Sequence, residues 1–209
     1  MQRCKQHHDH VLLLIGLLAL AGSVFFFSER VSSAAAADTA TLTVYDDALA
    51  GNWQNWSWNT TVNFANSSPV HSGAAAIAVQ YDQAWAGLSL RAPAPIDATQ
   101  YSTITFWVHG GATGARQLTF FTQATDGGGN STTVSIDAPA GAWQPVTIAL
   151  SALGNPTAIA RLNLQDRSGS VQPLFYVDDI QLISGAPAPT ATPPPPATTR
   201  SAFRPMAPQ

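Results

Sequence analysis

Apolar and polar residues alternate with a period of two between residues 41 and 183, in short runs separated by Gly, Pro, Asn and Asp. This alternation is typical of β-strands that bury one face and expose the other. Helical periodicity never extends beyond a turn or two, and 150–153 is a candidate for one such turn. The runs predicted as strands are 41–45, 76–81, 87–91, 103–109, 117–123, 133–137, 145–150, 160–166 and 175–182. About nine or ten short strands predict an all-β fold, a jelly-roll β-sandwich.

The same alternation assigns a set of polar and aromatic side chains to the outside of the sandwich, because the apolar residues of each run take the opposite phase. This outward set is Trp107, Arg161, Asn163, Gln165 and Gln117. Guanidinium and amide groups can pair with the hydroxyls of a sugar, and an indole can stack on its apolar face. The hypothesis requires Trp107 and Arg161 to stand together on one wetted face. The alternative is a solvated sheet whose tryptophan lies under a loop.

A second aromatic group lies in the segment NWQNWSWN, 52–59. Trp56 and Trp58 are two residues apart and would share a face of a strand, whereas Trp53 has the opposite phase. Because tryptophan is highly buried on average, one of the pair is expected in the core. Trp85 precedes the next strand in a loop, so it is available to a ligand. Trp56 and Trp85 therefore join the predicted ligand-binding residues.

The apolar pattern of the last run changes phase at Asp178 and Asp179. A straight strand cannot bury the apolar residues on both sides of this pair, but one extra residue, a β-bulge, would restore the register. Asp46 and Asp47 form a second acidic pair in the first run. If the first and last strands are neighbours, the two pairs meet, and their oxygen ligands suit a structural calcium ion. The alternative is that these aspartates cap turns by accepting hydrogen bonds from backbone amides.

The two ends of the chain differ in composition from the middle. Residues 1–37 combine a basic start, an apolar run and a small-residue AAAA segment, which predicts a signal peptide cleaved after Ala37 and a secreted, extracellular protein. An uncleaved membrane anchor is the alternative. Residues 38–184 are the predicted domain, and 185–209 are a Pro/Ala/Thr-rich linker or tail. The formal net charge is −3 with no basic run, which argues against nucleic acid as a partner.

Composition also argues against an enzyme. The only cysteine, lysine and glutamate fall within 1–37, so 38–184 has no cysteine or lysine nucleophile and cannot form a disulfide. Its aspartates are scattered over strand ends and turns, and no G-x-S-x-G motif accompanies His71 or His109. The segment GGGN, 127–130, is predicted to be a hairpin loop, because no helix follows that could complete a phosphate site.

Two short motifs, VHSGAAAIAV at 70–79 and FYVDDIQL at 175–182, resemble the bracketing motifs of carbohydrate-binding modules with the galactose-binding-like jelly-roll fold. The resemblance implies a non-catalytic secreted module that binds polysaccharide, and a structural calcium near the acidic pairs and the backbone of 72–73. It also implies binding either on a sheet face or through edge loops, and a glycoside hydrolase domain on a longer or separate chain. A structural or adhesive sandwich that contacts proteins or the cell envelope is the alternative function.

Overall fold

A computed structural model of the protein describes residues 40–185 and contains eleven strands and two short 3-10 helices in that range. The strands are β1 (Thr41–Tyr45), β2 (Gln54–Asn55), β3 (Thr60–Asn66), β4 (Ala76–Tyr81), β5 (Gly87–Asp97), β6 (Thr103–His109), β7 (Arg116–Gln123), β8 (Val134–Ala138), β9 (Trp143–Ala149), β10 (Ala158–Asp166) and β11 (Gln172–Ile183). The 3-10 helices are Ala98–Gln100 and Leu150–Leu153, and the second confirms the predicted single turn.

The strands form two antiparallel sheets. The six-stranded sheet has the order β3-β4-β11-β6-β9, with β1 paired to the second half of β11. The five-stranded sheet has the order β2-β5-β10-β7-β8. This arrangement confirms the predicted all-β jelly-roll sandwich. The alternation of apolar residues did not predict β2, which has two residues, or β3, an edge strand whose apolar side chains are only half-buried.

The core lies between the two sheets and is filled by the apolar phase of each strand. Phe106 of β6 and Phe120 of β7 stack across it with ring centroids 5.5 Å apart. The hydroxyl of Tyr81 in the six-stranded sheet donates a hydrogen bond to the carbonyl of Leu164 in the five-stranded sheet. Because a buried hydroxyl without a partner is costly, this bond fixes how the two sheets face each other.

The phase change in the last strand is a β-bulge, as predicted. The register of β11 against β6 shifts between Asp178 and Gln181, and Asp179 adopts a φ of +51°. Phe175 and Val177 before the bulge and Ile180 and Leu182 after it are all buried, with Phe175 at 0% exposure and Ile180 at 5%. The bulge therefore lets one strand direct both halves of its apolar set into the core.

The first and last strands are neighbours, since β1 pairs with β11 in the register Thr41–Ile183 and Leu42–Leu182. The predicted signal segment, 1–37, and the tail after Gly185 lie outside the described residues. Among residues 40–185, no helix has the length and apolar character needed to cross a membrane.

Candidate functional site

Trp107 and Arg161 do not stand together, so the expectation that they share one face was wrong. Trp107 belongs to β6 in the six-stranded sheet, whereas Arg161 belongs to β10 in the five-stranded sheet. Both point away from the core, as the alternation predicted, because Phe106 and Leu162 take the inward phase. Two side chains that both point outward from opposite layers of a sandwich lie on opposite sides of it.

The outer face of the five-stranded sheet arranges its side chains in three rows across β2, β5, β10 and β7. Read from the β2 side to β7, the first row is Gln54, Arg91, Arg161 and Gln123. The second row is Trp56, Ser89, Asn163 and Phe121. The third row is Trp58, Gly87, Gln165 and Thr119. We call these twelve residues the platform face. Four of the predicted ligand-binding residues, Trp56, Arg161, Asn163 and Gln165, lie within it.

The two tryptophans reach the platform face because the chain continues past β2 as an extended edge along β5. The N–H of Trp56 donates to the carbonyl of Ser89 at 2.8 Å, and Trp58 forms a bridge with Gly87. A Cβ on Gly87 would lie 2.4 Å from the Trp58 ring, so glycine is needed there for the indole to lie against the sheet. Neither tryptophan is in the core, contrary to expectation; Trp53, of the opposite phase, is buried instead.

Two arginines occupy directly opposed positions on neighbouring strands. Arg91 on β5 pairs in register with Arg161 on β10. The carboxylate of Asp126, in the loop between β7 and β8, accepts hydrogen bonds from both, at 2.6 Å from Arg91 Nε and 3.1 Å from Arg161 Nε. The hydrogen bond from Arg91 is the main reason that the pKa of Asp126 is lowered. Asp126 thus offsets the repulsion between the two cations.

The arginines also contact the aromatic edge of the platform face. The guanidinium carbons of Arg91 and Arg161 lie 4.8 and 4.6 Å from the centroid of the Trp56 ring. These distances are typical of cation–π contacts, which orient an indole without burying it. Trp56 retains 43% of its surface exposed and offers that surface to a ligand.

The centre of the platform face contains two buried polar atoms without partners. Ser89 Oγ and Asn163 Oδ1 have no hydrogen-bond partner among the described residues, and both residues are at most 1% exposed. Phe121, in the same row, is only 4% exposed although it does not belong to the core cluster. Buried polar atoms are usually paired. Because Ser89 and Asn163 are at most 1% exposed, their unpartnered atoms lie beneath the surface that the platform face offers to a ligand.

Trp85 lies at one end of the platform face and is held there by its backbone. Its N–H donates to Asp166 Oδ2 at 2.9 Å, and its carbonyl accepts from Trp58 Nε1 at 2.8 Å and from Gln165 Nε2 at 3.0 Å. Its φ of +62° is strained for a tryptophan, and such conformations persist where the surroundings impose them. With 58% of its surface exposed, Trp85 extends the platform beyond the third row.

Asp166 supports this end of the site. Burial raises its pKa, but hydrogen bonds from Ser168, Trp85 and Gln172 outweigh that effect, so the pKa lies below its usual value. Gln117, the remaining predicted ligand residue on this sheet, is exposed on β7 opposite Asp137 of β8. Gln117 precedes Thr119 by two residues on β7 and points to the same side of the sheet, so it lies just beyond the third row.

The site predicted from the sequence did not include Arg91, Ser89 and Trp58 of the platform face, or Asp126 in the loop beside it. The first two are on the outward phase of a strand that was predicted, so alternation could have identified them. Asp126 lies in a loop, and a loop has no periodic pattern from which the direction of a side chain could be predicted.

Aromatic rings on the outer side of the six-stranded sheet pack mainly against each other. Trp107 stacks with His71, with centroids 3.7 Å apart. His109 makes edge contacts with Trp143 at 5.3 Å and with Tyr176 at 5.6 Å. We call these five residues the ring face. Trp107 thus fits the alternative of a tryptophan covered by a loop residue.

The acidic residues of the bulge contact the loop that follows β3. Asp178 Oδ2 accepts the N–H of His71 at 2.9 Å, and Asp179 accepts from His71 Nδ1 at 2.6 Å and Ser72 Oγ at 2.7 Å. Burial, more than the neighbouring charge of Asp179, raises the pKa of Asp178. The bulge therefore fastens this loop to the sheet.

The acidic pair after β1 approaches the same loop. Asp47 Oδ1 accepts the N–H groups of Ala74 at 2.6 Å and Ala75 at 2.9 Å, which lower its pKa, while Asp46 is exposed beside it. Within residues 40–185, no group of three or more His, Cys, Asp or Glu side chains is arranged to hold a metal ion. The hydrogen bonds of Asp47 match the turn-capping alternative, and the structural calcium stays a prediction.

Comparisons with solved structures identify similar molecules at low sequence identity. A variant family 29 carbohydrate-binding module complexed with cellulohexaose has a TM-score of 0.53 at 12% identity, covering 72% of this chain and 94% of that one. Another variant, complexed with mannohexaose, has a TM-score of 0.52 at 12% identity over 71% and 94% of the two chains. A family 29 module from Piromyces equi has a TM-score of 0.50 at 15% identity over 71% and 92%.

The resemblance to jelly-roll carbohydrate-binding modules is therefore confirmed at the level of the fold. No family model matches the chain, and no curated protein matches it.

Proposed function

We propose that the protein is a non-catalytic module that binds polysaccharide through the platform face. Flat indoles, guanidinium groups and amides meet there on rigid strands, which is the mixture a sugar ring requires. Solved modules with the same fold were complexed with cellulohexaose and mannohexaose, which supports a saccharide chain as the ligand.

Each group has a distinct role in this proposal. Trp56 and Trp58 stack against the apolar faces of successive sugar rings, and Trp85 extends the surface by a further position. Gln165 and Gln123 donate to or accept from ring hydroxyls. Because these groups stand on paired strands, they need little reordering when the ligand arrives, so less affinity is lost to entropy.

The observation that carries the proposal is the exposed ring of Trp56, held beside the guanidinium groups of Arg91 and Arg161 on the platform face. A sugar ring can stack on this indole while its hydroxyls reach the guanidinium and amide groups around it.

Affinity gel electrophoresis tests the proposal. The full chain is run through gels containing neutral and acidic soluble polysaccharides, and we expect at least one polymer to retard it. Trp56→Ala should abolish the retardation, whereas Trp107→Ala, on the ring face, should leave it unchanged. If no polymer retards the wild-type chain, the proposal fails and the structural or adhesive function gains support.

The predicted structural calcium has a separate test. Its support is that carboxylates from both ends of the domain converge on the loop at 71–75. If calcium neutralises them, a chelator lowers Tm by several degrees and added calcium restores it; an unchanged Tm favours the turn-capping role.

Export from the cell and attachment to a glycoside hydrolase domain also belong to the proposal. The leader-like pattern of 1–37 and the linker composition of 185–209 support them. N-terminal sequencing of secreted protein would check cleavage after Ala37.

A further inference from the structure

Half of the arginines in the described part of the chain lie side by side on the platform face. The described residues contain nine aspartates, four arginines and no lysine or glutamate, so the domain as a whole is acidic. Two of the four arginines, Arg91 and Arg161, are nevertheless placed directly opposite each other on neighbouring strands. Like charges in that position destabilise a sheet, so their pairing calls for a compensating anion.

The anion in this structure is a side chain from a glycine-rich loop. Asp126 is followed by Gly127, Gly128 and Gly129, and its side chain is 37% exposed. Its carboxylate bridges both guanidinium groups. A loop of this composition can change conformation at low cost, so another carboxylate could take the place of Asp126.

The indole beside the arginines defines what else such a ligand must carry. Trp56 is 43% exposed, so a ring with an apolar face can lie on it. Trp56, which contacts both arginines, offers an apolar surface beside them.

We propose that the ligand of the platform face is an acidic polysaccharide whose uronate carboxylate displaces Asp126 from Arg91 and Arg161. The uronate oxygens accept hydrogen bonds from the two guanidinium groups, as the Asp126 oxygens do here. A neutral hexose offers only a hydroxymethyl group at this position and cannot offset the charge of two arginines. This inference rests on the proposed function and names the ligand class of the same site.

The test compares a polymer with its own neutral form. Polygalacturonate, alginate and glucuronoxylan are each measured against the full chain by titration calorimetry, alongside carboxyl-reduced samples of the same polymers and a neutral β-glucan. We expect at least one acidic polymer to bind at least tenfold more tightly than its carboxyl-reduced form. Raising the salt concentration should weaken that binding, since ion pairing contributes to it.

Two variants distinguish displacement of Asp126 by the ligand from a role of Asp126 in holding the two arginines in place. Asp126→Asn removes the internal competitor and should tighten binding of the acidic polymer several-fold, while Arg161→Gln should abolish the preference for the acidic form. Asp137→Asn is the matched control, because Asp137 pairs with Arg167 at 2.6 Å on the same sheet outside the platform face, and it should change nothing.

The outcomes distinguish this inference from the proposed function. Binding only to neutral polymers, or weaker acidic binding by Asp126→Asn, overturns the uronate proposal and leaves polysaccharide binding standing. Absence of binding to every polymer overturns both.

Discussion

Both outer faces of the sandwich carry tryptophan, but the contacts of these tryptophans differ. On the ring face, Trp107 is stacked by His71, and Trp143 meets His109 edge-on. On the platform face, Trp56 is contacted by two arginines and remains exposed over 43% of its surface. Aromatic rings that contact each other stabilise the fold, whereas a ring oriented by guanidinium groups remains available to a ligand.

Polar atoms show the same contrast. Asp178 and Asp179, on β11 beside Trp107 of the ring face, both accept hydrogen bonds from the loop at 71–75. The platform face leaves Ser89 Oγ and Asn163 Oδ1 without partners in the described part of the chain. A polar site that is complete within the protein stabilises the fold, whereas buried atoms without protein partners call for a water or another group to pair them.

The largest effect is expected from Asp166, which holds the Trp85 end of the platform face. Asp166→Ala leaves the donors of Trp85, Gly169 and Gln172 without their acceptor, so the free energy of unfolding should fall by about 3 kcal/mol. Chemical denaturation measures this. Asp82→Ala is the control, because Asp82 is exposed and should cost about 0.5 kcal/mol or less. Equal losses for both variants would contradict a special role for Asp166.

The next largest effect is expected on ligand affinity, and it distinguishes the platform face from the ring face. Trp58→Ala removes an indole that lies on Gly87 and donates to the Trp85 carbonyl, so affinity for the polysaccharide should fall about tenfold, or about 1.4 kcal/mol. Titration calorimetry measures the change. Trp143→Ala, on the ring face, should alter affinity less than about twofold. If it weakens binding as much as Trp58→Ala, the ligand is not confined to the platform face.

A smaller effect is expected on stability from the ring face. His71→Ala removes the ring stacked on Trp107 and should lower the free energy of unfolding by about 1 kcal/mol without changing affinity. Thermal melting together with calorimetric binding checks both parts. A loss of affinity here would show that the two faces are coupled.

The smallest effect is a dependence of stability on pH through His109. Burial lowers the pKa of His109, and its Nδ1 accepts the N–H of Gly111 at 3.0 Å, so the folded protein holds the ring neutral. The unfolded chain therefore binds the proton more readily than the folded protein. The free energy of unfolding should fall as the pH drops below about 6.5, the pKa of His109 in the unfolded chain, and should level off once the pH lies below the pKa of His109 in the folded protein. The accompanying fall in Tm should be about 2 °C or less. His109→Asn should remove this component; an unchanged profile would contradict it.

Much of the fold could be predicted from local pattern. The alternation identified nine of the eleven described strands, the outward phase of Trp107 and Arg161, and the bulge at Asp178. It succeeded because the period of two is a property of a single strand and its burial. It did not predict β2, which has only two residues, or β3, which is a half-buried edge strand. The alternation of buried and exposed residues is weak in both.

The composition of the site was decided by tertiary structure. Whether Trp107 or Trp56 shares a face with Arg161 depends on which strands pair, and β10 pairs with β5 and β7 over separations of about seventy and forty residues. Asp126 reaches the arginines from a loop whose direction no repeat encodes. The sequence by itself determined which side of each strand faces water, because that depends on neighbouring residues. Only the packing of distant segments decided which of those outward residues meet.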